Sequence, residues 1–487
     1  MKFFRWIKLI VLSVVLLVIG AMALRVYDIQ RGPDLQLWHT YVPHEMSADE
    51  IDQADWNDYL KVEDSLFKEV KLNVTDKLDV QQQTELNRYY SGSPIYPDRF
   101  QTNWNRSYIM LPDARPKGVV VMLHGLTDTP YSLRHIAENY RQYGYIAVGI
   151  RLPAHGTVPA ALTDVTWQDW MAATRLAVRE AKKLAGNDVP LHIVGFSNGG
   201  ALAMKYTLDA LNDPHLAKPQ RVILISPMIG ITSFARFSGI AGWPSFLPAF
   251  AKVAWLNIMP EFNPFKFNSF PTNAARQSFL LTSALQSQIA TDARNKKLDQ
   301  LPPILTFQSA MDSTVSARAV ITALYNRLPD NHSEVVLFDL NHAVRFNALL
   351  RRSSYTALSR LLPAPPRRYT TTVIINVTAG STDMEIRTLP AGKTEQIVKK
   401  MGLRYLPDVY SLSHVALPFP LSDSLYGRYP DPLNQYGISL GTFAARGERA
   451  VLVVGLDSLM RQSSNPFFPW MIKRIDEGID ARAPEKN

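Results

Sequence analysis

The residues best spaced for chemistry are Gly195-Phe196-Ser197-Asn198-Gly199, which fit the pattern G-x-S-x-G. A serine held on a sharp turn between a strand and a helix exposes its hydroxyl to a substrate. Such a turn needs small neighbours two residues to either side, because larger side chains collide there. The flanks agree with that geometry. His192-Ile193-Val194 reads as a buried parallel strand, and Leu202, Met204, Tyr206 and Leu208 follow in a segment that reads as helix. The backbone N–H of Asn198 then sits at a helix N-terminus, where negative charge is stabilised. The chemistry implied is nucleophilic attack by Ser197 on a carbonyl.

A nucleophile on such a turn requires a sheet beneath it, and the chain supplies alternating strands and helices. Strands are expected at 105–111, 118–123, 145–150, 221–226, 303–308 and 335–338, with helices at 131–143, 167–184 and 317–328 between them. Residues 227–300 interrupt this rhythm. They are rich in Phe, Trp, Pro and Met, with few charges, and an apolar insert between two strands reads as a cap over an active site. Farther on, strands are expected at 372–377 and 450–454 and a terminal helix at 466–479, so the tail 363–487 reads as part of one domain spanning 105–487.

Together these segments resemble the α/β-hydrolase superfamily, nearest its monoacylglycerol lipase, carboxylesterase and lysophospholipase-like (serine aminopeptidase S33-type) branch. The resemblance rests on His124-Gly125-Leu126-Thr127-Asp128-Thr129-Pro130, Leu152-Pro153-Ala154-His155-Gly156-Thr157, Trp167-Gln168-Asp169-Trp170, the Ser197 turn, and Ser309-Ala310-Met311-Asp312-Ser313-Thr314-Val315. It implies a mostly parallel, doubly wound α/β sheet. Ser197 is then the nucleophile, Asp312 the acid that orients the base, and the N–H groups of Leu126 and Asn198 the oxyanion donors. His124 and His155 read as structural, and Asp169 as the fixer of a helix terminus. Asp128 stands where a small residue is expected.

Two histidines compete for the base. His342 lies 30 residues after Asp312, behind the strand at 335–338, where the fold's order places it. His414 lies in Ser411-Leu412-Ser413-His414-Val415, which resembles the small-residue–His–Val segment of bacterial carboxylesterases. His414 is preferred, because the intervening tail does not read as an independent domain. The resulting expectation is a serine hydrolase of acyl or lipid esters. A peptidase on the same triad, or a catalytically silent binding protein, are the alternatives.

The chain has 487 residues, no cysteine and a net charge of +9. The lack of cysteine excludes disulfides and thiolate chemistry. No H-E-x-x-H, P-loop or Rossmann glycine pattern appears, so neither metal nor nucleotide cofactor is expected, and no nucleic-acid motif accompanies the positive charge. A membrane surface suits that charge better. Lys2, Arg5 and Lys8 precede an uncharged run from Leu9 to Leu24 closed by Arg25. Residues 1–25 are expected to form a membrane anchor with the catalytic domain on the extracytoplasmic side; the alternative is a signal peptide cleaved at Ala21-Met22-Ala23. Residues 26–46 read as an irregular stalk, followed by one amphipathic helix from a capping box at Ser47 and Glu50 to about residue 71. Six arginines between 345 and 368, in a stretch without acids, are candidates to face anionic lipid.

Overall fold

Runs of Val, Ile and Leu without a polar face must be covered on both sides, and here they line the middle of a ten-stranded sheet. The computed structural model describes residues 2–186, 188–230, 248–345, 347–433, 435–443, 455 and 459–479, with some side chains within helices left out. The strands are β1 (Tyr108–Met110), β2 (Gly118–Leu123), β3 (Tyr145–Gly149), β4 (Leu191–Phe196), β5 (Arg221–Ile225), β6 (Trp255–Asn257), β7 (Phe270–Pro271), β8 (Ile304–Ser309), β9 (Glu334–Phe338), β10 (Thr370–Asn376), β11 (Asp383–Leu389) and β12 (Ile397–Arg404). The large sheet runs β1-β3-β2-β4-β5-β8-β9-β10-β11-β12. From β3 to β10 every pair is parallel, while β1, β11 and β12 join antiparallel. This is the α/β-hydrolase architecture that the sequence implied. The tail extends the same sheet through β10–β12; the expected strand at 450–454 lies outside the described residues.

Among the helices are α1 (Lys2–Gln30), α2 (Leu37–Thr40), α3 (Ala48–Gln53), α4 (Trp56–Asn73), α5 (Arg134–Gln142), α6 (Trp167–Ala185), α7 (Asn198–Asn212), α8 (Thr272–Arg294) and α9 (Phe468–Asp476). Among the described residues no helix is long and apolar enough to cross a membrane. The expected anchor coincides with α1, several of whose side chains lie outside the described set.

Several expectations need correction. The stalk at 26–46 is not irregular throughout: α1 runs to Gln30, and α2 buries Trp38 and His39. His39 Nε2 is 2.9 Å from Ser269 Oγ, which fastens this segment to the insert. The single helix after Ser47 is two helices. The capping box forms, but Asp55 then caps α4 by accepting the Asp58 N–H, which starts a new helix there. Both pack on the sheet's helical layer through Ile51, Trp56 and Tyr59. Residues 317–327 are a short α-turn followed by π and 3-10 turns, not one helix.

The expected cap divides. Residues 231–247 lie outside the described set, β6 and β7 form a small hairpin, and α8 is the crossover helix returning to β8. Its face of Ala274, Leu281, Leu285 and Ile289 joins the main core.

One buried charge cluster escaped the sequence reading. Arg151 pairs with Glu45 at 2.8 Å and with Glu63 at 3.2 Å, and all three are largely shielded. Glu63 also accepts from the Ser107 N–H and Oγ, so α4 is bolted to the start of β1.

Candidate active site

Ser197 sits between β4 and α7 with φ 55° and ψ −114°, a strained conformation for any residue with a Cβ. The glycines around it are sterically required. A Cβ on Gly199 would lie 1.9 Å from Leu123 O, and one on Gly195 would lie 2.3 Å from Gly199 O. The strand-to-helix bend therefore exists only with glycine at both positions. Its strain is held by hydrogen bonds: the Ser197 N–H donates to Ile225 O at 3.0 Å, and the Met228 N–H to Ser197 O at 2.9 Å.

The loops after β2, β4 and β8 meet at the carboxyl edge of the sheet, where ligands of open α/β sheets bind. There a cavity of about 480 Å³ takes in Leu126, Ser197 and His414. A second space of about 520 Å³, between residues 42–47 and 161–169, holds no candidate nucleophile.

Asp312, on the loop after β8, is fully enclosed. Its Oδ2 lies 2.8 Å from His414 Nδ1 and accepts from Gln308 Nε2 at 3.0 Å; its Oδ1 accepts the N–H groups of Thr314 and Val315 at 2.8 and 3.1 Å. Burial pushes this carboxyl up, but His414 and the backbone donors outweigh it and hold it below the usual carboxylate range. The His414 ring stacks on Phe196 with centroids 5.2 Å apart. The described residues show no hydrogen bond between Ser197 Oγ and His414; that contact is often loose until substrate fills the site.

His342 is placed elsewhere. Its Nε2 is 3.2 Å from Asp339 Oδ2, and its N–H donates to Asn376 Oδ1 at 2.8 Å. The neighbouring Asn341 holds the loop that leads to His414: its Nδ2 donates to Leu406 O at 2.9 Å and Val409 O at 2.8 Å, and its N–H to Tyr410 O at 2.8 Å. Thus the loop after β9, at the spacing where a base was sought, buttresses the segment that brings the other imidazole to Asp312.

The loop from His124 to Thr129 is shaped from within. Thr127 has φ 63°, a left-handed conformation. Buried His124 accepts the Leu152 N–H at Nε2, 3.0 Å, which leaves its Nδ1–H to donate to Gly125 O at 2.9 Å. His155 Nδ1 is likewise 2.9 Å from Pro153 O. Burial keeps both imidazoles well below their ordinary pKa, so both are neutral braces. Asp128 is buried and accepts the Thr129 N–H at 3.0 Å, which gives this unexpected acid a turn-stabilising contact. Asp169 caps α6 through Thr166 and also accepts the Ala48 N–H at 2.8 Å. Among the described residues no cluster of His, Asp and Glu could hold a metal ion.

Residues 114–344 match the model of the family described as serine aminopeptidase, S33. The thermostable monoacylglycerol lipase of Bacillus sp. (strain H-257) is 33% identical over 85 residues, which are 18% of this chain and 33% of that protein. Phospholipase YtpA of Bacillus subtilis (strain 168) is 27% identical over 118 residues, 24% of this chain and 43% of that protein. The chain thus matches about a third to two fifths of the length of these curated relatives. Among solved structures, that of the metagenome-derived lipolytic enzymes LipS and LipT aligns with TM-score 0.38 and 21% identity over 48% of this chain and 86% of that one. A monoglyceride lipase from Saccharomyces cerevisiae aligns with TM-score 0.36 and 13% identity, over 47% and 81%.

Proposed function

We propose, from the membership of residues 114–344 in the α/β-hydrolase superfamily on its serine aminopeptidase S33 branch, that this chain is a serine hydrolase cleaving acyl or lipid esters through an acyl-enzyme. The observation that carries this reading is the His414–Asp312 contact of 2.8 Å at the cavity holding Ser197. Ser197 Oγ attacks the acyl carbon while its proton passes to His414 Nε2. Asp312 stays ionised and fixes the imidazole through Nδ1. The N–H groups of Leu126 and Asn198 receive the developing oxyanion, each worth about 3 kcal/mol of barrier. His414 then protonates the leaving alcohol, and a water activated by the same imidazole releases the acid.

The cavity supports an acyl substrate over a peptide. Met228, Met259, Phe262, Phe267 and Phe270 line it, a wall suited to an alkyl chain. The test is labelling by a fluorophosphonate probe together with hydrolysis of nitrophenyl esters and aminoacyl anilides. Wild type should be labelled and should cleave the esters faster than the anilides, and Ser197→Ala should lose both labelling and hydrolysis. Labelling that persists in Ser197→Ala overturns the assignment of the nucleophile, and faster anilide cleavage establishes the peptidase instead.

The same proposal includes membrane attachment through α1. At roughly 1.5 Å per residue its 29 residues exceed the ~30 Å of a hydrocarbon core. Its described apolar side chains, among them Trp6, Leu9, Ile10, Leu12 and Leu17, are exposed, and an apolar phase is the natural cover for such a surface. Just beyond α1, Gly32 O and Asp34 Oδ1 accept from Lys252 Nζ at 3.1 and 2.8 Å, so the helix end is fastened to the insert beside the cavity. Arg351, Arg352 and Arg360 are exposed and available to anionic lipid. The full chain should remain with membranes after an alkaline carbonate wash, and a chain starting after residue 31 should wash off. Release of the full chain removes the anchor from this proposal.

A further inference from the structure

The cavity around Ser197 is apolar over much of its wall, yet it also contains Lys266 and Arg461, and among the described residues no Asp or Glu lines it. Lys266 is held rigidly beside the oxyanion loop. Thr129 Oγ1 donates to Phe265 O at 2.8 Å and the Phe267 N–H donates to Thr127 O at 2.8 Å, so both neighbours of Lys266 are tied to that loop. Asp128 attracts the ammonium but forms no ion pair with it among the described residues, and its Oδ1 accepts the Thr129 N–H. Burial disfavours the charged ammonium and pushes its pKa down. Arg461 approaches from the tail. Its Nη2 donates to the hydroxyl of Thr314, a neutral partner, and its main-chain carbonyl accepts from Ser413 Oγ at 2.7 Å, next to His414.

Half-buried Lys266, with no acid on the cavity wall among the described residues, is a costly lining for a pocket that takes a neutral lipid, because its removal from water is repaid only by an opposite charge; Arg461, which is exposed, adds a second positive charge at the same cavity. A compact ammonium and a planar guanidinium together suit an oxyanion such as phosphate. We propose that Lys266 and Arg461 form an anion subsite beside Ser197, and that the preferred substrate is a single-chain acyl ester whose alcohol part carries a phosphate. This rests on the ester-hydrolase reading above. The subsite takes no part in bond making. Water and ester become acid and alcohol at Ser197, and the phosphate leaves intact on the alcohol.

The test uses the full chain in neutral detergent micelles. It compares kcat/KM for a 1-acylglycerol 3-phosphate, the monoacylglycerol of the same chain length and the corresponding zwitterionic acylglycerophosphocholine. Wild type is expected to favour the phosphate monoester over the neutral ester by about tenfold or more, the scale of one charge-assisted hydrogen bond. That ratio should fall about tenfold in Lys266→Met and severalfold in Arg461→Gln, survive in Lys266→Arg, and shrink as salt rises. If Lys266→Met does not fold, Arg461→Gln and the wild-type ratio still decide. Equal rates on phosphate and neutral esters, a preference for the zwitterion, or a ratio unchanged in both neutral variants overturns the subsite. Failure to hydrolyse any ester, nitrophenyl esters included, takes down the ester reading itself and the subsite with it.

Discussion

Replacing His414 by alanine is expected to lower ester hydrolysis by on the order of 10⁴ or more, while His342→Ala stays within about tenfold of wild type. The expectation follows from where each imidazole is held. Asp312 is enclosed and ionised, and His414 Nδ1 is 2.8 Å from it. On the proposed mechanism, loss of that imidazole leaves Ser197 without a base to take its proton, and only the proposed oxyanion donors and substrate binding remain. His342 instead faces Asp339 at 3.2 Å, and its backbone N–H is fixed by Asn376. Losing its ring removes the contact to Asp339 on a loop that Asn341 still pins to residues 406–410. Steady-state rates on a nitrophenyl ester, with a fluorophosphonate probe reporting the reactivity of Ser197, separate the two variants. Full activity in His414→Ala together with collapse in His342→Ala reverses the assignment.

The second large effect concerns Asp423 and is one of stability. Its side chain is fully buried, 2.7 Å from Arg134 Nη2 and 2.9 Å from His135 Nε2, and it accepts from Tyr131 OH at 3.0 Å and from the Tyr426 N–H at 2.7 Å. The tail segment around residue 423 is thereby fastened to α5 and to the turn that follows the loop at 124–129. Asp423→Ala leaves the Arg134 guanidinium enclosed without its counter-charge and should cost about 3–5 kcal/mol. A lower urea midpoint at an unchanged m-value would report it. Asp423→Asn, which keeps the shape and part of the hydrogen bonding, should cost less.

The pH dependence has a definite sign. Burial raises this carboxyl, but Arg134 and the hydrogen bond to His135 outweigh it and hold it far below the unfolded value of about 3.9. A depressed carboxylate stabilises the fold above its unfolded pKa, and that contribution is lost as pH falls toward the folded value. The gap between wild type and Asp423→Asn should therefore be constant from about pH 5 to 7 and narrow below about pH 4. Identical urea midpoints for wild type and Asp423→Ala at pH 7 would show that the cluster contributes nothing to the fold.

Much of this protein was legible from local pattern. The spacing of Gly195, Ser197 and Gly199 can be read without a structure because the constraint is steric and acts within five residues. The central strands could be read because each buries both faces and so consists of apolar runs. The capping pair Ser47–Glu50 could be read because its partners lie three residues apart. Spacing failed at 54–55, where a new cap outranked helical periodicity, and at 317–327, where packing of Tyr325 under the sheet overrode helix propensity.

The sequence by itself thus determined the glycine-flanked turn at Ser197 and the apolar strands of the core, since each follows from residues adjacent in the chain. Only the tertiary structure decided which imidazole meets Asp312, because His414 lies 102 residues away, beyond three added strands. The partners of Glu63 and Asp423, and the charge of Lys266 on the cavity wall, unpaired among the described residues, were hidden for the same reason. A buried charge is defined by what surrounds it in space, and nothing in its own segment records that a distant strand, helix or loop will supply the opposing charge or leave it wanting.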